Sequence, residues 1–264
     1  MPGTGPEDFF AALDVVGAPR ELVALGGTLE PATLVAAYRA GCFPWPPSGS
    51  HEGALVRSAR RLARSGRVPV LEGADATVPW CSPEPRAVLL PAMLRVSRSL
   101  RHRLRTCGWH TTLDTAFEQV VAGCADRPET WITPRMREAY AALAGLGLAH
   151  SVEVWDGDRL VGGLYGVQTG GVFSGESMFH READASKVAL VDLVARMRQG
   201  GLALLDTQQQ TEHMTSLGQV VVRRRDYVEA VHALRDAPAR LPAGRQDVAL
   251  LGRAPEQHEP PVVR

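Results

Sequence analysis

Hydrophobic and polar positions change their spacing near residue 147, and this change predicts two different parts of the structure. In the first part, apolar residues recur three and four positions apart, which predicts helices over residues 31–40, 91–106, 114–125 and 134–146. In the second part the pattern becomes strand-like over residues 151–155, 160–167 and 172–178. Asp156-Gly157-Asp158 separates the first two of these strands as a hairpin turn.

The remaining elements complete a mixed layer of strands and helices. The pattern predicts a helix over 185–199, a buried strand over 202–206, a strand at 220–222 and a helix near 225–235. This order predicts an α+β fold with a mixed sheet, and it resembles the order of elements in the acyl-CoA-dependent N-acetyltransferases. We therefore expect a small N-terminal domain followed by an N-acetyltransferase-like mixed-sheet domain.

Changes in composition predict where the domains begin and end. We expect an N-terminal domain over residues 1–86, and a helical segment plus the sheet domain over residues 87–236. Residues 48–76 are rich in Arg, Ser, Gly and Ala, which is typical of a mobile surface insertion. Residues 237–264 are rich in Pro, Arg and Gly, which predicts a disordered tail.

Composition limits the classes of function. The 264 residues carry a formal net charge of zero, so contacts with nucleic acid must come from local basic patches. The sequence contains no apolar stretch of the roughly 20 residues that a spanning helix needs, and the first residues do not resemble a secretory signal. The four cysteines lie far apart and form no metal-binding motif. We expect a cytoplasmic monomer without a bound metal or cofactor.

Two groups of arginines are candidates for phosphate contacts. Arg95, Arg98 and Arg105 would share one face of the predicted helix over 91–106, where they could follow an RNA backbone or simply face solvent. The same two interpretations hold for the arginines of the insertion, at positions 57, 60, 61, 64 and 67. Lys187 is the only lysine among 29 basic residues.

Polar residues cluster at the end of one apolar strand. Asp206 and Gln208 are two residues apart, a spacing that places both on one side of an extended chain. Glu176 lies in a neighbouring strand, and apolar residues surround the cluster: Phe173, Met178 and Leu205. Each polar residue alone is also explained as a hydrogen-bonded strand end or helix cap. The three together indicate a ligand site.

A coenzyme A site is disfavoured. The N-acetyltransferase fold binds the CoA pyrophosphate with a glycine-rich turn that leads into a helix. The corresponding segment here, residues 179–186, has no glycine and carries the acids Glu182 and Asp184. These acids would repel a pyrophosphate.

Short motifs along the chain resemble one family. They include Tyr38-Arg39-Ala40-Gly41-Cys42-Phe43-Pro44-Trp45, Trp80 with Ser82-Pro83-Glu84-Pro85-Arg86, Trp131-Ile132, and Ala149-His150-Ser151-Val152-Glu153. The later motifs are Leu160 to Gly166, Gly175-Glu176-Ser177-Met178-Phe179, Asp184-Ala185-Ser186-Lys187, Asp206-x-Gln208, His213 and Ser216-Leu217-Gly218. In this order they resemble the leucyl/phenylalanyl-tRNA–protein transferases. The chain departs from the family pattern at Thr207, Thr211, Cys81 and His180.

The resemblance implies an activity and a set of roles. Such an enzyme moves Leu or Phe from charged tRNA to the α-amine of proteins that begin with Arg or Lys, which marks them for degradation in the N-degron pathway. Asp206 would orient the amine and steer its proton, and Gln208 would stabilise the oxyanion or hold the nucleophile. Glu176 would pair with the cationic acceptor side chain.

The same resemblance implies a binding site for the donor. An apolar pocket for the Leu or Phe side chain would be lined by Leu164, Phe173, Met178 and Leu205. Trp80 and Trp131 would stack on the terminal adenosine, and Lys187 would contact a phosphate or brace a nearby acid. Two alternatives stay open: an acyl-CoA-dependent N-acetyltransferase, and a tRNA-binding protein without catalysis.

Overall fold

The computed structural model describes residues 5–46, 52–73 and 78–252. These ranges contain two sheets and the helices packed on them, so the predicted α+β class is confirmed. Within them, no helix is long and apolar enough to cross a membrane.

The N-terminal sheet has four short strands. These are β1 (Leu22–Gly26), β2 (Phe43–Pro44), β3 (Val70–Leu71) and β4 (Pro79–Cys81), in the order β2-β4-β1-β3. Two helices accompany it, α1 (Pro6–Ala12) and α2 (Pro31–Arg39). Helix α2 begins with a proline in its first turn, where the missing N–H is harmless. It ends before Gly41, whose φ of +82° suits glycine.

The predicted insertion is partly helical. Residues Glu52–Arg64 form α3, and the following residues lead into β3 at the edge of the N-terminal sheet. For these residues the structure shows a helix and a strand in place of the expected loop, because apolar side chains at helical spacing pack against β1. Their mobility stays a prediction. Residues 48–51 and 74–76 of the predicted insertion lie outside the described residues.

The second sheet has eight strands and carries the candidate site. They are β5 (Arg86–Leu89), β6 (His110–Leu113), β7 (Ala149–Asp156), β8 (Arg159–Thr169), β9 (Val172–His180), β10 (Leu204–Gln208), β11 (Val220–Val222) and β12 (Gln246–Asp247). Their order is β11-β5-β10-β9-β8-β7-β6-β12. Strands β7, β8 and β9 are antiparallel, and β10 runs parallel to β9, so the predicted mixed sheet is present.

Helices cover both faces of this sheet. They are α4 (Arg98–Thr106), α5 (Phe117–Ala125), α6 (Pro134–Gly145), α7 (Ala185–Gly200), α8 (Glu212–Ser216), α9 (Arg224–Leu234) and α10 (Val248–Leu251). One core cluster joins the sheet with α2, α5, α6 and α9, and a second joins it with α4, α7 and α10. The site lies between these two layers, where β9 and β10 stop pairing with each other.

The predicted helix over 91–106 begins later than expected. A single 3-10 turn occupies Pro91–Met93, and α4 starts after Ser97, whose hydroxyl caps the helix by accepting from the Leu100 N–H. Between them the backbone is held extended, with the Arg95 N–H donating to the carbonyl of Leu217. Arg95 is therefore not part of the helix that carries Arg98 and Arg105.

The predicted disordered tail is folded up to residue 252. Strand β12 pairs with β6, and Leu241 and Val248 are buried in the core. Arg196, buried and paired with Asp192, donates to the carbonyls of Pro242 and Gly244. Composition alone suggested disorder, but these contacts fix the segment to α7. Residues 253–264 lie outside the described residues, and a domain boundary near residue 86 stays a prediction.

Candidate active site

The site forms where two parallel strands separate. Pairing between β9 and β10 ends at Ser174 and Asp206. Beyond this point Glu176 and Gln208 belong to strands that no longer bond to each other, and their side chains meet in the space between. Clefts at the carboxyl ends of parallel strands are common ligand positions.

Asp206 is enclosed in the protein. Arg86 donates to its two oxygens through Nε at 2.8 Å and Nη2 at 2.6 Å, and Tyr227 donates its hydroxyl at 2.9 Å. The Arg86 guanidinium lies between the rings of Tyr227 and Phe43, at 4.2 and 4.8 Å from their centres. Asp206 and Arg86 are both 0% exposed, so the expectation that Asp206 touches the substrate is not met.

Gln208 adopts a backbone conformation that Asp206 holds in place. Its φ is +63°, in the left-handed region that non-glycine residues rarely occupy. The Gln208 N–H donates to Asp206 Oδ1 at 2.9 Å, and the pairing of β10 with β5 shifts register between these two residues. This bulge turns the two side chains to different environments, which corrects the expectation from their period-two spacing.

Glu176 receives three hydrogen bonds from neutral donors. Tyr38 and Gln208 donate to one carboxylate oxygen at 2.8 and 3.0 Å, and Tyr140 donates to the other at 2.7 Å. Burial raises the pKa of Glu176 to about 7 against the lowering effect of the tyrosine hydroxyls, and the nearby charge of Asp206 adds to the rise.

An apolar cavity of about 210 Å³ adjoins Glu176. Three predicted residues, Leu164, Met178 and Leu205, line it together with Thr207, Thr211 and His213. Phe173 was also predicted, but it is buried in the core and is not among the lining residues. A cavity of about 150 Å³ accommodates benzene, so this one has room for a leucine or phenylalanine side chain.

The remaining predicted residues have different environments. Trp80 is fully buried and donates its indole N–H to the carbonyl of Gly26 at 2.9 Å, so it packs in the core and offers no face to an adenosine. Trp131 is half-buried, with its ring edge-to-face with Tyr140. Lys187 braces Asp184 at 2.7 Å, which is the second of its two predicted roles.

Sequence reasoning missed the residues that hold the site together. Tyr38, Tyr140, Arg86 and Tyr227 bind the two carboxylates, and they come from α2, α6, β5 and α9. A signal was present, because a buried carboxylate needs a charged or hydrogen-bonding partner. Tyr38 and Arg86 both belong to motifs that resemble the family.

Comparison with known proteins identifies first a class and then a family. The matching family model and the relatives of the chain place it in the class of the aminoacyltransferases. The family described as "Leucyl/phenylalanyl-tRNA protein transferase" matches residues 88–232, and its N-terminal domain matches residues 27–52. The chain belongs to the leucyl/phenylalanyl-tRNA–protein transferase family.

Individual relatives cover most of the chain. The leucyl/phenylalanyl-tRNA–protein transferase of Stutzerimonas stutzeri is 44% identical over 225 residues, which are 84% of this chain and 88% of that protein. The enzyme of the same name from Shewanella woodyi is 38% identical over 93% of both chains. A GCN5-related N-acetyltransferase structure from Kribbella flavida overlaps 52% of this chain and 54% of that one, at 16% identity and a TM-score of 0.32.

Proposed function

We propose that this protein transfers leucine or phenylalanine from charged tRNA to the α-amine of proteins that begin with Arg or Lys. The product would enter the N-degron pathway. The protein would act in the cytoplasm as a monomer, without a cofactor. The observation that carries the proposal is the contact between Gln208 and Glu176 at the edge of an apolar cavity.

The cavity supplies the donor site. The side chain of Leu or Phe enters between Leu164, Met178 and Leu205, and this places the ester carbonyl near Gln208. Because an aminoacyl ester is already activated, the enzyme contributes mainly positioning and charge stabilisation. The transfer therefore needs no covalent intermediate on the enzyme.

Gln208 is the residue that touches the acceptor. Its amide nitrogen donates a hydrogen bond to Glu176. Its amide oxygen accepts none of the hydrogen bonds found among the described residues. That oxygen accepts from the acceptor's α-amine and aims the nitrogen lone pair at the ester carbon. The amide bond forms, the bond to the adenosine ribose breaks, and the ribose oxygen takes the amine's proton. Asp206 contributes by holding Gln208, and we assign it a positioning role.

Glu176 supports recognition of a cationic acceptor. It is a buried carboxylate whose three hydrogen-bond donors are all neutral. An arriving Arg or Lys side chain would supply the missing positive charge and favour the ionised form of Glu176. A neutral side chain would leave this acid without such a partner, which gives a physical reason for acceptor choice.

One assay tests the function and both alternatives. The protein is incubated with Leu-tRNA and a peptide that begins with Arg, and the product is identified by mass. The proposal predicts a leucine addition. Acetylation of the peptide when acetyl-CoA replaces Leu-tRNA would instead support an N-acetyltransferase. Tight binding of Leu-tRNA without any product would support a non-catalytic binder.

A further inference from the structure

Helix α3 carries four arginines on one side. Arg57, Arg60, Arg61 and Arg64 follow the spacing of a single helical face, and all four are exposed. We call this set the α3 arginine face. Arg67, also exposed, follows in the turn after the helix.

The opposite side of α3 is fixed to the N-terminal sheet. Ala59 and Val68 are buried against Leu25 of β1, and Leu62 and Ala63 pack beside them. The helix is thereby anchored with its arginines outward. A basic amphipathic helix that binds a membrane needs a free apolar face, and here that face is already covered. A lipid surface is therefore the poorer partner.

The arginines of this face have no acidic partners among the described residues. Two exposed arginines elsewhere are paired, by contrast: Arg159 with Glu182 at 2.8 Å and Arg223 with Asp226 at 2.8 Å. Like charges four residues apart destabilise a helix, and α3 contains two such pairs. An anion bound from outside the protein would offset this repulsion.

The charge is local to this segment. Residues 52–73 contain five arginines and two glutamates, while the whole chain is formally neutral. Arginine binds phosphate through two parallel hydrogen bonds, so several exposed arginines suit a polyphosphate backbone. The segment also lies between the two stretches that match the family, residues 27–52 and 88–232. Most of the segment therefore lies outside both stretches that match the family.

We propose that the α3 arginine face binds the phosphodiester backbone of the tRNA body, outside the site that holds the aminoacyl end. This inference rests on the proposed function, because that function makes charged tRNA the substrate. The face would raise the affinity for whole tRNA and would take no part in the transfer step. It is also separate from the basic side of α4, which carries Arg98 and Arg105.

Two aminoacyl donors, one with and one without the tRNA body, distinguish tRNA binding by this face from a role in catalysis. Transfer is measured with whole Leu-tRNA and with leucyl-adenosine, which lacks the tRNA body. The variant Arg57→Gln/Arg60→Gln/Arg61→Gln/Arg64→Gln should raise KM for Leu-tRNA and leave leucyl-adenosine unchanged. Each lost phosphate contact lowers the slope of log affinity against log salt concentration, in magnitude, by about 0.7–0.9. When salt is raised from 50 to 200 mM, the KM of the wild type should increase by a larger factor than the KM of the variant. The two factors should differ about threefold for each phosphate contact that the variant lacks.

Matched variants control for charge and folding. Replacing the same four arginines with lysine should retain most of the salt dependence, because the charge is kept. The double variant Arg159→Gln/Arg223→Gln removes exposed arginines that are already paired and should leave KM unchanged. If circular dichroism shows that the fourfold variant does not fold, Arg60→Gln and Arg64→Gln are measured singly, each with a slope change of about 0.7–0.9.

Three results would overturn the proposal. One is an unchanged KM and salt slope for Leu-tRNA in the folded variants. Another is an equal loss with both donors, which would show a general structural effect. The third is a lost affinity for phosphatidylserine vesicles with unchanged tRNA affinity. If the wild type transfers from neither donor, the proposed function has failed, and filter binding of tRNA to the same variants still tests the α3 arginine face.

Discussion

Arg86 and Asp206 form an enclosed ion pair that ties the site to the N-terminal part of the chain. Two hydrogen bonds of 2.8 and 2.6 Å join them, and Arg86 packs on Phe43 of β2 and points Nη1 toward the carbonyl of Gly41. Asp206 in turn holds the backbone of Gln208. The motif around Phe43, although distant in sequence, therefore supports the site through Arg86 and Asp206.

Removing Arg86 should destabilise the protein strongly. Arg86→Met leaves Asp206 as a buried charge without its partner, and the free energy of unfolding should fall by about 3–5 kcal/mol. Urea denaturation measures this loss. Arg86→Met/Asp206→Asn should recover part of it, because the second change removes the unpaired charge. Arg223→Met, at an exposed ion pair, should leave the midpoint unchanged. A small loss for Arg86→Met would show that Asp206 finds other partners.

Glu176 should make stability depend on pH. Its pKa is about 7 in the folded state and near 4.5 when unfolded. Between these values the folded state binds more protons, so stability falls as pH rises from 4.5 to 7. Glu176→Gln should therefore gain stability relative to wild type as pH rises, by at most about 3 kcal/mol above pH 7. Urea midpoints at pH 5 and pH 8 measure this difference, and a constant difference would contradict the account.

Glu176 should also determine acceptor choice. Glu176→Gln should lower kcat/KM for peptides that begin with Arg or Lys by about ten- to a hundredfold, because a charge-assisted hydrogen bond is lost. Glu182→Gln is a suitable control, since Glu182 is exposed and pairs with Arg159. Unchanged kinetics in a folded Glu176 variant would show that this residue has only a structural role.

The cavity should limit the size of the amino-acid side chain that the enzyme accepts from the donor tRNA. Leu164→Phe adds volume to its wall and should reduce transfer of phenylalanine more than transfer of leucine. The ratio of kcat/KM for Phe-tRNA and Leu-tRNA measures this effect. Phe173→Leu is the control, because Phe173 is buried outside the cavity lining and should change stability without changing the ratio. Equal losses for both donors would contradict the assignment of the cavity.

Sequence reasoning predicted the mixed sheet because its strands and helices have strong, distinct periodicities. It also placed Glu176 and Gln208 in one site. It could not foresee the bulge at Gln208, because register depends on pairing with β5, a strand about 120 residues earlier. For the same reason Trp80 was placed in the site although it packs in the core, and Tyr140 was missed. The sequence analysis did not predict helix α3, because the many arginines of this segment favoured a surface loop over a helix with a short apolar face.

Gln208→Ala tests the central claim most directly, namely that Gln208 touches the acceptor and Asp206 acts through it. Single-turnover transfer from Leu-tRNA to an Arg peptide should slow about 10²-fold or more, the loss typical of a misplaced nucleophile. Affinity for Leu-tRNA should barely change. Asp206→Asn should slow transfer less, and the double variant should be no slower than Gln208→Ala, because the two residues act as a unit. A folded Gln208→Ala protein that transfers leucine at nearly the wild-type rate would contradict the account.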